Sequence, residues 1–378
     1  MKMVRKMALA CAAVFAVGRS LAMLYGDTPD AKHAWAVHDG NRPNPPKVAP
    51  AAKCGGAPSD AVVLFDGTAE SFARNWCDEK GNPSLWKTSP EGYFYCVPGW
   101  KNGGAVYTRA KFGDCQLHLE YRHDPENIIT DKGAQMRGNS GVFLMGNYEI
   151  QVLESYYTSS EFAGKKEFVS NYADGQAGAV YAENPPMVNP ARKPGEWQVY
   201  DIVFHQPVWE GLRLVRPGSV TVFFNGVLVQ DHWELEGLTT HCVRRPLAPH
   251  EKEGPLFLQD HGCTVQFRNI WYRPLPSRWD NKTHSVLSAD ENAVMSLRRE
   301  TAAKLYAKIK DPKEKKPETL AALCEVIAYA NESPYSDDFK TLLAWWKAQK
   351  QKDAGWEKWV NGQLDVLRRC RVIEADGK

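Results

Sequence analysis

From Ala61 to about Pro276 the apolar residues come in short runs, many of them alternating with polar ones and separated by Gly, Pro or Asn. Examples are "CQLHLEYR", "YEIQVLES", "WQVYDIVF", "SVTVFFNGVLV" and "VQFRNIWY". An alternation of period two sends successive side chains to opposite faces of an extended chain, so each run predicts a strand. Their succession without intervening helical patterns predicts an all-β sandwich. In "FFNGVLVQ" the pair Asn225-Gly226 stands between two apolar runs and predicts a two-residue hairpin.

After Pro276 the spacing changes. Segments near Ser288 to Ile309, Pro317 to Ala330, Ser336 to Gln349 and Trp356 to Arg369 are rich in Ala, Leu, Lys and Glu at helical intervals, and predict a C-terminal α-helical domain over 277–378. "SADE" and "SDDF" read as N-caps with acidic first turns, and "KDPKEKKPE", "NESPYS" and "KDAG" as breaks between helices. Trp345, Trp346, Trp356 and Trp359 are expected in the core of that bundle. Residues 23–60, containing "NRPNPPKVAPAAKCGGAPSD", are expected to form a Pro/Ala/Gly-rich linker.

The N-terminus adds a location. Lys2, Arg5 and Lys6 precede "MALACAAVFAV", and "SLA" ends at Ala22 as a small-residue cleavage site, so residues 1–22 read as a signal peptide. The apolar stretch is too short to span a bilayer, and the chain is expected in the periplasm or outside the cell. Eight cysteines would remain after processing. An even number in an exported chain suggests disulfides. Cys324 and Cys370, the only ones in the tail, are expected to pair, with Cys242 and Cys263 as a further candidate pair. No zinc-type Cys/His spacing occurs, and no metal ligands are assigned. A net charge of +2 gives no electrostatic reason to expect nucleic acid or an anionic membrane as partner.

Candidate chemistry begins at "YEIQVLES". Glu149 and Gln151 share the parity of Leu153, opposite Tyr148, Ile150 and Val152. An ionised Glu beside a Gln is costly against an inter-sheet core, so this pair is expected on the outer, concave face of a sheet. By the same alternation Glu120 and Arg122 share a face, as do Phe257, Gln259 and His261. Gln266, Arg268 and Ile270 are expected to oppose Phe267, Asn269 and Trp271.

"LFDG", "NSGVFL", "YEIQVLES", "AGAVYAENPP", "PGEWQVYDIVF", "VTVFFNGVLVQDH", "GPLFLQDHG" and "FRNIWYRPL", in this order between about Ala61 and Leu275, resemble the 3-keto-disaccharide hydrolase domain family. The resemblance implies a concanavalin A-like, laminarinase-like jelly roll over 61–276. It also implies cleavage of glycosides already oxidised to a ketone at C3. Such a ketone acidifies the C2 proton, whose removal lets the aglycone leave C1 by β-elimination. That site needs a base near C2, donors for the C3 oxyanion and an acid for the leaving oxygen. Glu149 and His261 are the acid/base candidates. Arg122 and Arg268 are placed to stabilise the enolate, and Asn139, Gln151, Gln259 and His232 to bind hydroxyls. No cofactor is expected, although sandwiches of this type sometimes hold a structural calcium. The partner is a carbohydrate, and the helical tail is expected to dock to the sandwich or to another protein.

Two other readings remain open in the sequence. "EIQVLE" is close to the ExDxxE pattern of laminarinase-type retaining glycosidases, with Glu149 and Glu154 as the catalytic pair, but Gln151 replaces the central Asp. Strict alternation puts Glu149 and Glu154 on opposite faces, and only a bulge would reunite them. The third reading is a non-catalytic carbohydrate-binding module.

Overall fold

A computed structural model describes residues 26–97, 104–125, 134–157, 172–275 and 291–374. They divide into two units, one of residues 47–275 and one that joins residues 26–46 to the C-terminal helices. The expected signal peptide lies outside the described residues.

Antiparallel pairing builds the first unit. One sheet has eight strands: β13 (Val227–Glu234), β12 (Ser219–Phe224), β9 (Gln198–His205), β6 (Cys115–His123), β17 (Val265–Pro274), β4 (Tyr93–Tyr95) and β3 (Lys87–Ser89) in spatial order, with β1 (Val62–Phe65) also pairing β17. The other has five, in the order β2 (Trp76–Cys77), β5 (Val106–Phe112), β16 (Gly254–Leu258), β7 (Ser140–Leu144) and β8 (Tyr148–Val152). Two ribbons, β10 (Val208–Glu210) with β11 (Arg213–Arg216) and β14 (Gly237–Leu238) with β15 (Arg245–Pro246), complete the strands. A short helix, α1 (Ala69–Asn75), starts where the Thr68 hydroxyl accepts from Ser71 N.

Alternation fills the core between the sheets. Leu117, Leu119 and Tyr121 of β6 and Phe267 and Ile270 of β17 meet Val142 and Leu144 of β7, Ile150 and Val152 of β8, and Leu256 and Leu258 of β16. Each such side chain contributes about 1.5–3 kcal/mol when fully buried. The Asn225-Gly226 turn forms as expected, with Phe224 opposite Val227 and both turn residues at positive φ, 52° and 81°. β17 departs from strict alternation. Arg268 opposes Glu120 but Trp271 opposes His118, so Asn269 and Ile270 together face one residue of β6. Asn269 takes φ 47° at this bulge, Ile270 turns into the core, and Trp271 stacks on His118 at 5.1 Å between ring centroids. The face expected for Ile270 and Trp271 is therefore reversed by the bulge.

The second unit is built on α2 (Glu291–Tyr306), α3 (Pro317–Tyr329), α4 (Tyr335–Ala348) and α5 (Ala354–Arg369). From Thr319 to Tyr329 every residue of α3 except Ala322 is buried, as befits a helix apolar around most of its circumference. Trp346 is buried, and Trp345, Trp356 and Trp359 pack partly buried against the same core. Asp353 caps α5 by accepting from Gly355 N and Trp356 N, each at 3.0 Å. "SADE" begins outside the described residues, and Ser336 lies inside the first turn of α4 rather than capping it.

The expected linker is not a free spacer. Ala36 enters the helical core beside Leu320 and Leu323, and Trp35 meets the edge of Tyr329 at 6.2 Å. Asp39 accepts from Ala36 N at 2.9 Å and also from the Tyr329 hydroxyl. Residues beyond Pro46 belong to the sandwich, where Gly55 O accepts from Trp271 Nε1 at 3.0 Å and Asp60 pairs with Arg273 at 2.6 Å. The Pro-rich composition that suggested a linker obscured these few anchoring side chains.

Among the described residues no disulfide forms. Cys324 is buried in the helical core, and the Cys370 sulfur accepts from Thr28 N at 3.4 Å. Cys242 lies beside His241, and Cys263 donates to Met136 O at 3.2 Å. No described helix is long and apolar enough to cross a membrane.

Placing an unpaired charge under this strap tests its contribution. Ala36→Asp should destabilise the helical unit by roughly 2–4 kcal/mol, read as faster amide hydrogen exchange in α3. Unchanged protection there would show that residues 26–46 add no stability.

Candidate active site

The site grows from the outer edge of β8. Tyr148, Ile150 and Val152 join the core, so Glu149 and Gln151 point out of the sandwich. They are nevertheless 3% and 1% exposed, because loops close over this edge. Tyr181 N donates to Glu149 O at 3.1 Å, Gln151 N to Ala179 O at 3.0 Å, and Gly178 N to Gln151 O at 3.0 Å. Glu149 N donates to the Thr239 hydroxyl at 2.9 Å.

Gly141 makes room for the carboxyl group. It sits opposite Gln151 on β7, and a Cβ there would come within 2.2 Å of Glu149 Oε1. Beside this gap Phe143, opposite Glu149, stacks on Phe257 at 4.0 Å, and Tyr107 meets Phe257 at 4.8 Å. Burial with no compensating charge raises the Glu149 carboxyl to about 8, so it holds its proton at neutral pH.

Polar groups gather around it. The Tyr181 hydroxyl bonds His241 Nδ1 at 2.9 Å and the Tyr172 hydroxyl at 3.1 Å, and His241 Nε2 lies 3.1 Å from the Cys242 sulfur. Burial, a phenol neighbour and the nearby Glu149 and Cys242 all favour the protonated form of Tyr181. Just past the end of β16, Gln259 N donates to Gly141 O at 3.0 Å, which sets Gln259 beside the glycine gap with His261 two residues further on. Half-burial lowers the His261 pKa, and its own backbone and Asp260 only partly offset this while His241 adds to it. Its imidazole is therefore neutral at pH 7. Gln151 Nε2 donates to Asn139 Oδ1 at 3.3 Å, and Asn139 Nδ2 to Gln135 O at 2.7 Å. Gln151 Oε1 is buried without a hydrogen-bond partner among the described residues, an acceptor left for a hydroxyl.

Four other candidates lie elsewhere. Arg122 and Arg268 project from the outer face of the eight-stranded sheet, with the whole sandwich core between them and Glu149. Arg122 Nε donates to Gln266 Oε1 at 2.7 Å and its guanidinium lies 4.7 Å from the Trp197 ring. Arg268 pairs with Glu120 at 2.7 Å and covers Trp197 at 3.9 Å. His232 is exposed on β13 of the same large sheet, with a left-handed backbone (φ 48°). Glu154 is buried against Arg137 at 3.0 Å and accepts from Tyr156 N at 2.8 Å, so its carboxylate is committed to the fold. The structure thus puts Glu149 and Gln151 on β8 of the five-stranded sheet and Asn139, Gln259 and His261 in segments adjoining β7 and β16 of that sheet, and sets Arg122, Arg268, His232 and Glu154 apart from them. Tyr181, His241 and Tyr172 were missed because they sit in loops without periodicity. Only Tyr181 falls within a quoted motif, "AGAVYAENPP". Among the described residues no group of three or more His, Cys, Asp or Glu side chains is arranged to hold a metal ion.

An antiparallel sandwich with a dry carboxyl, imidazoles, phenols and amides on one outer face is a carbohydrate-active fold of the glycosyl hydrolase-like or lyase-like kind. The chain belongs to the family of 3-keto-α-glucoside-1,2-lyase-like domains, whose profile matches residues 60–273. It is similar to a protein from Parabacteroides distasonis provisionally described as a glycosyl hydrolase, with 36% identity, 64% of this chain and 98% of that one covered, and a TM-score of 0.54. A second protein of that organism, described in the same way, shares 17% identity over 61% of this chain and all of its own, with a TM-score of 0.40. A β-glucanase from Bacillus licheniformis shares 10% identity over 59% of this chain and 100% of its own, at a TM-score of 0.28. No curated protein matches the chain.

The raised Glu149 pKa carries a stability consequence. The folded state holds this proton up to about pH 8, whereas the unfolded carboxyl releases it near 4.5, so stability falls as pH rises through that window and levels off above it. Glu149→Gln removes the loss. Its melting temperature relative to the wild type should be several degrees higher at pH 9 than at pH 5, a difference on the order of 3 kcal/mol. A pH-independent difference would mean that Glu149 titrates normally.

Proposed function

We propose that the protein cleaves 3-keto-glucosides by removing the C2 proton and expelling the aglycone from C1. The observation that carries this reading is the protonated, buried Glu149 beside a loop cluster in which His241, bonded to Tyr181, also acts on the neutral imidazole of His261. Two groups whose surroundings drive their pKa values in opposite senses form an acid and a base at one pH.

The 3-keto group makes the C2 hydrogen acidic. His261 accepts that proton, and the C–H electron pair forms the enolate, C2=C3–O⁻. The Tyr181 hydroxyl, held by His241, is the donor suited to that oxyanion, a role the distant arginines do not fill. Collapse of the enolate restores the C3 ketone, forms C1=C2 and breaks the bond from C1 to the glycosidic oxygen. Glu149 donates its proton to the departing oxygen. The product is a 1,2-unsaturated 3-keto sugar, and addition of water across C1=C2 would complete net hydrolysis. Gln151 and Asn139 supply an acceptor and a donor for ring hydroxyls, and Phe143 and Phe257 offer apolar surface to a sugar face. The basic and apolar start of the chain supports export, which would place this chemistry in the periplasm or outside the cell.

Release of the leaving group from a 3-keto-glucoside and from the parent glucoside tests the reading. Only the keto compound should turn over, and deuterium at C2 should slow it if elimination is rate-limiting. Equal rates on the unoxidised glucoside would point to ordinary glycoside hydrolysis instead. Glu149→Gln and His261→Ala should each lower kcat by about 10² to 10⁴, and Arg122→Ala should leave it within about threefold. The wild-type rate should fall above about pH 8 as Glu149 loses its proton, and at acid pH as His261 gains one. Glu149→Gln should lack the alkaline fall.

Gly141→Ala examines the geometry separately. The added methyl must displace the Glu149 carboxyl and press on the Phe143 ring, so kcat should drop about 10²-fold with a stability loss of about 1–3 kcal/mol. Full activity would show that the carboxyl does not work from its position over the glycine.

A further inference from the structure

Next to Tyr181 lies a groove that the chemistry above does not use. One wall is the ribbon β14–β15 and its turn, and the other is the segment around Tyr181 and Glu183. The groove has a volume of about 230 Å³. The ribbon is fixed to the strand that bears Glu149, since Thr239 N donates to Asn147 O at 2.9 Å and the Thr239 hydroxyl accepts from Glu149 N at 2.9 Å. Its base is closely packed, because a Cβ on Gly237 would lie 2.2 Å from Arg245 O. Its turn is closed by the Thr240 hydroxyl donating to Val243 O at 2.6 Å.

On this ribbon Arg244 and Arg245 are both exposed and both line the groove. Neither guanidinium makes a salt bridge or a side-chain hydrogen bond among the described residues. Arg122, Arg268 and Arg273, by contrast, each find a partner within the same unit. Two carboxyl groups also line the groove. Glu183 is already engaged by Trp233 Nε1 at 2.6 Å and Glu236 N at 2.8 Å. Glu236 is exposed and pairs with neither arginine, so two guanidinium groups face one solvated carboxylate.

Tyr181 belongs to both the groove and the site, so the groove adjoins the space over Glu149 and Gly141. We propose that this groove is a leaving-group subsite selecting an anionic aglycone, one that carries a carboxylate, sulfate ester or phosphate ester. The anion would accept charge-assisted hydrogen bonds from Arg244 and Arg245, whose planar forks suit all three oxyanions. The proposal rests on the 3-keto-glucoside reading for the orientation of the substrate, and on the two arginines for its charge.

Binding separates the two layers, because unoxidised glucosides can occupy the site without reacting. Calorimetric dissociation constants would be measured for 4-carboxyphenyl and 4-carbamoylphenyl α-glucoside, a pair of similar shape that differs in charge. The carboxylate should bind about tenfold more tightly at low salt, and the preference should shrink toward unity in about 0.5 M salt. In the Arg244→Gln/Arg245→Gln double variant the preference should fall below about twofold. Sulfate and phosphate counterparts show which anion the subsite favours, and preference for any of them supports it. Equal affinities in the wild-type protein, or a preference that survives in the double variant, would overturn the subsite. Turnover of the 3-keto forms of the same compounds is scored independently. If neither keto compound reacts, the proposed reaction fails while the binding result still decides the anionic subsite.

Discussion

A carboxyl group taken out of water with no cation beside it keeps its proton, and Glu149 is held in that condition. The arrangement begins with β8 serving two environments at once, its inward residues in the sandwich core and its outward ones under loops. Gly141 gives the carboxyl a place to lie, and Thr239 and the 178–181 segment occupy the backbone groups of the strand edge that would otherwise draw water. The same contacts position Tyr181 and, through it, His241. Dryness, protonation and the placing of the neighbouring donors are therefore one arrangement rather than three.

The two outer faces of the sandwich resolve charge in different ways. On the small sheet Glu149 is buried and uncompensated. On the large sheet Glu120 is partly buried, which alone would raise its pKa, but hydrogen bonds from His118, Asn269 and Arg268 hold it down at about 2. His118 is driven the other way, up to about 9, because Asp201 and Glu120 outweigh the effect of its burial. With Arg122 and Arg268 laid against Trp197, this second face is a closed network in which each charge has an answer. Polar residues of the same kinds thus hold a proton in reserve on one face and brace the sheet on the other. Context decides which, since a partnered charge is stabilised in its ionised form and an isolated one is not.

That contrast explains what could be read in advance. Period-two alternation is a local property, so it told that Glu149 and Gln151 point away from the core, and equally that Arg122 does. It carries no information on which sheet a strand joins, and Arg122 and Glu149 belong to different ones. The Asn-Gly turn was legible because its backbone requirement is local too, whereas the bulge at Asn269 has no comparable signature and reversed the faces of Ile270 and Trp271. Tyr181, His241 and Tyr172 are brought to the site by loop paths that no periodicity records. Composition misled at residues 26–46, where a few side chains among prolines determine the packing, and in the even cysteine count, since no disulfide forms among the described residues.

The chain leaves one folded unit at Pro46 and returns to it after Leu275, so the sandwich is an insertion in a unit made of the two ends of the described chain. During synthesis the segment with Trp35 and Ala36 emerges first, but α3, which covers both residues, is made only after the entire sandwich. Until then these apolar side chains have no native neighbours, and the early fold of the sandwich works in their favour by shortening the effective loop that must close. The helical unit can therefore be completed only after the sandwich that interrupts it has been made.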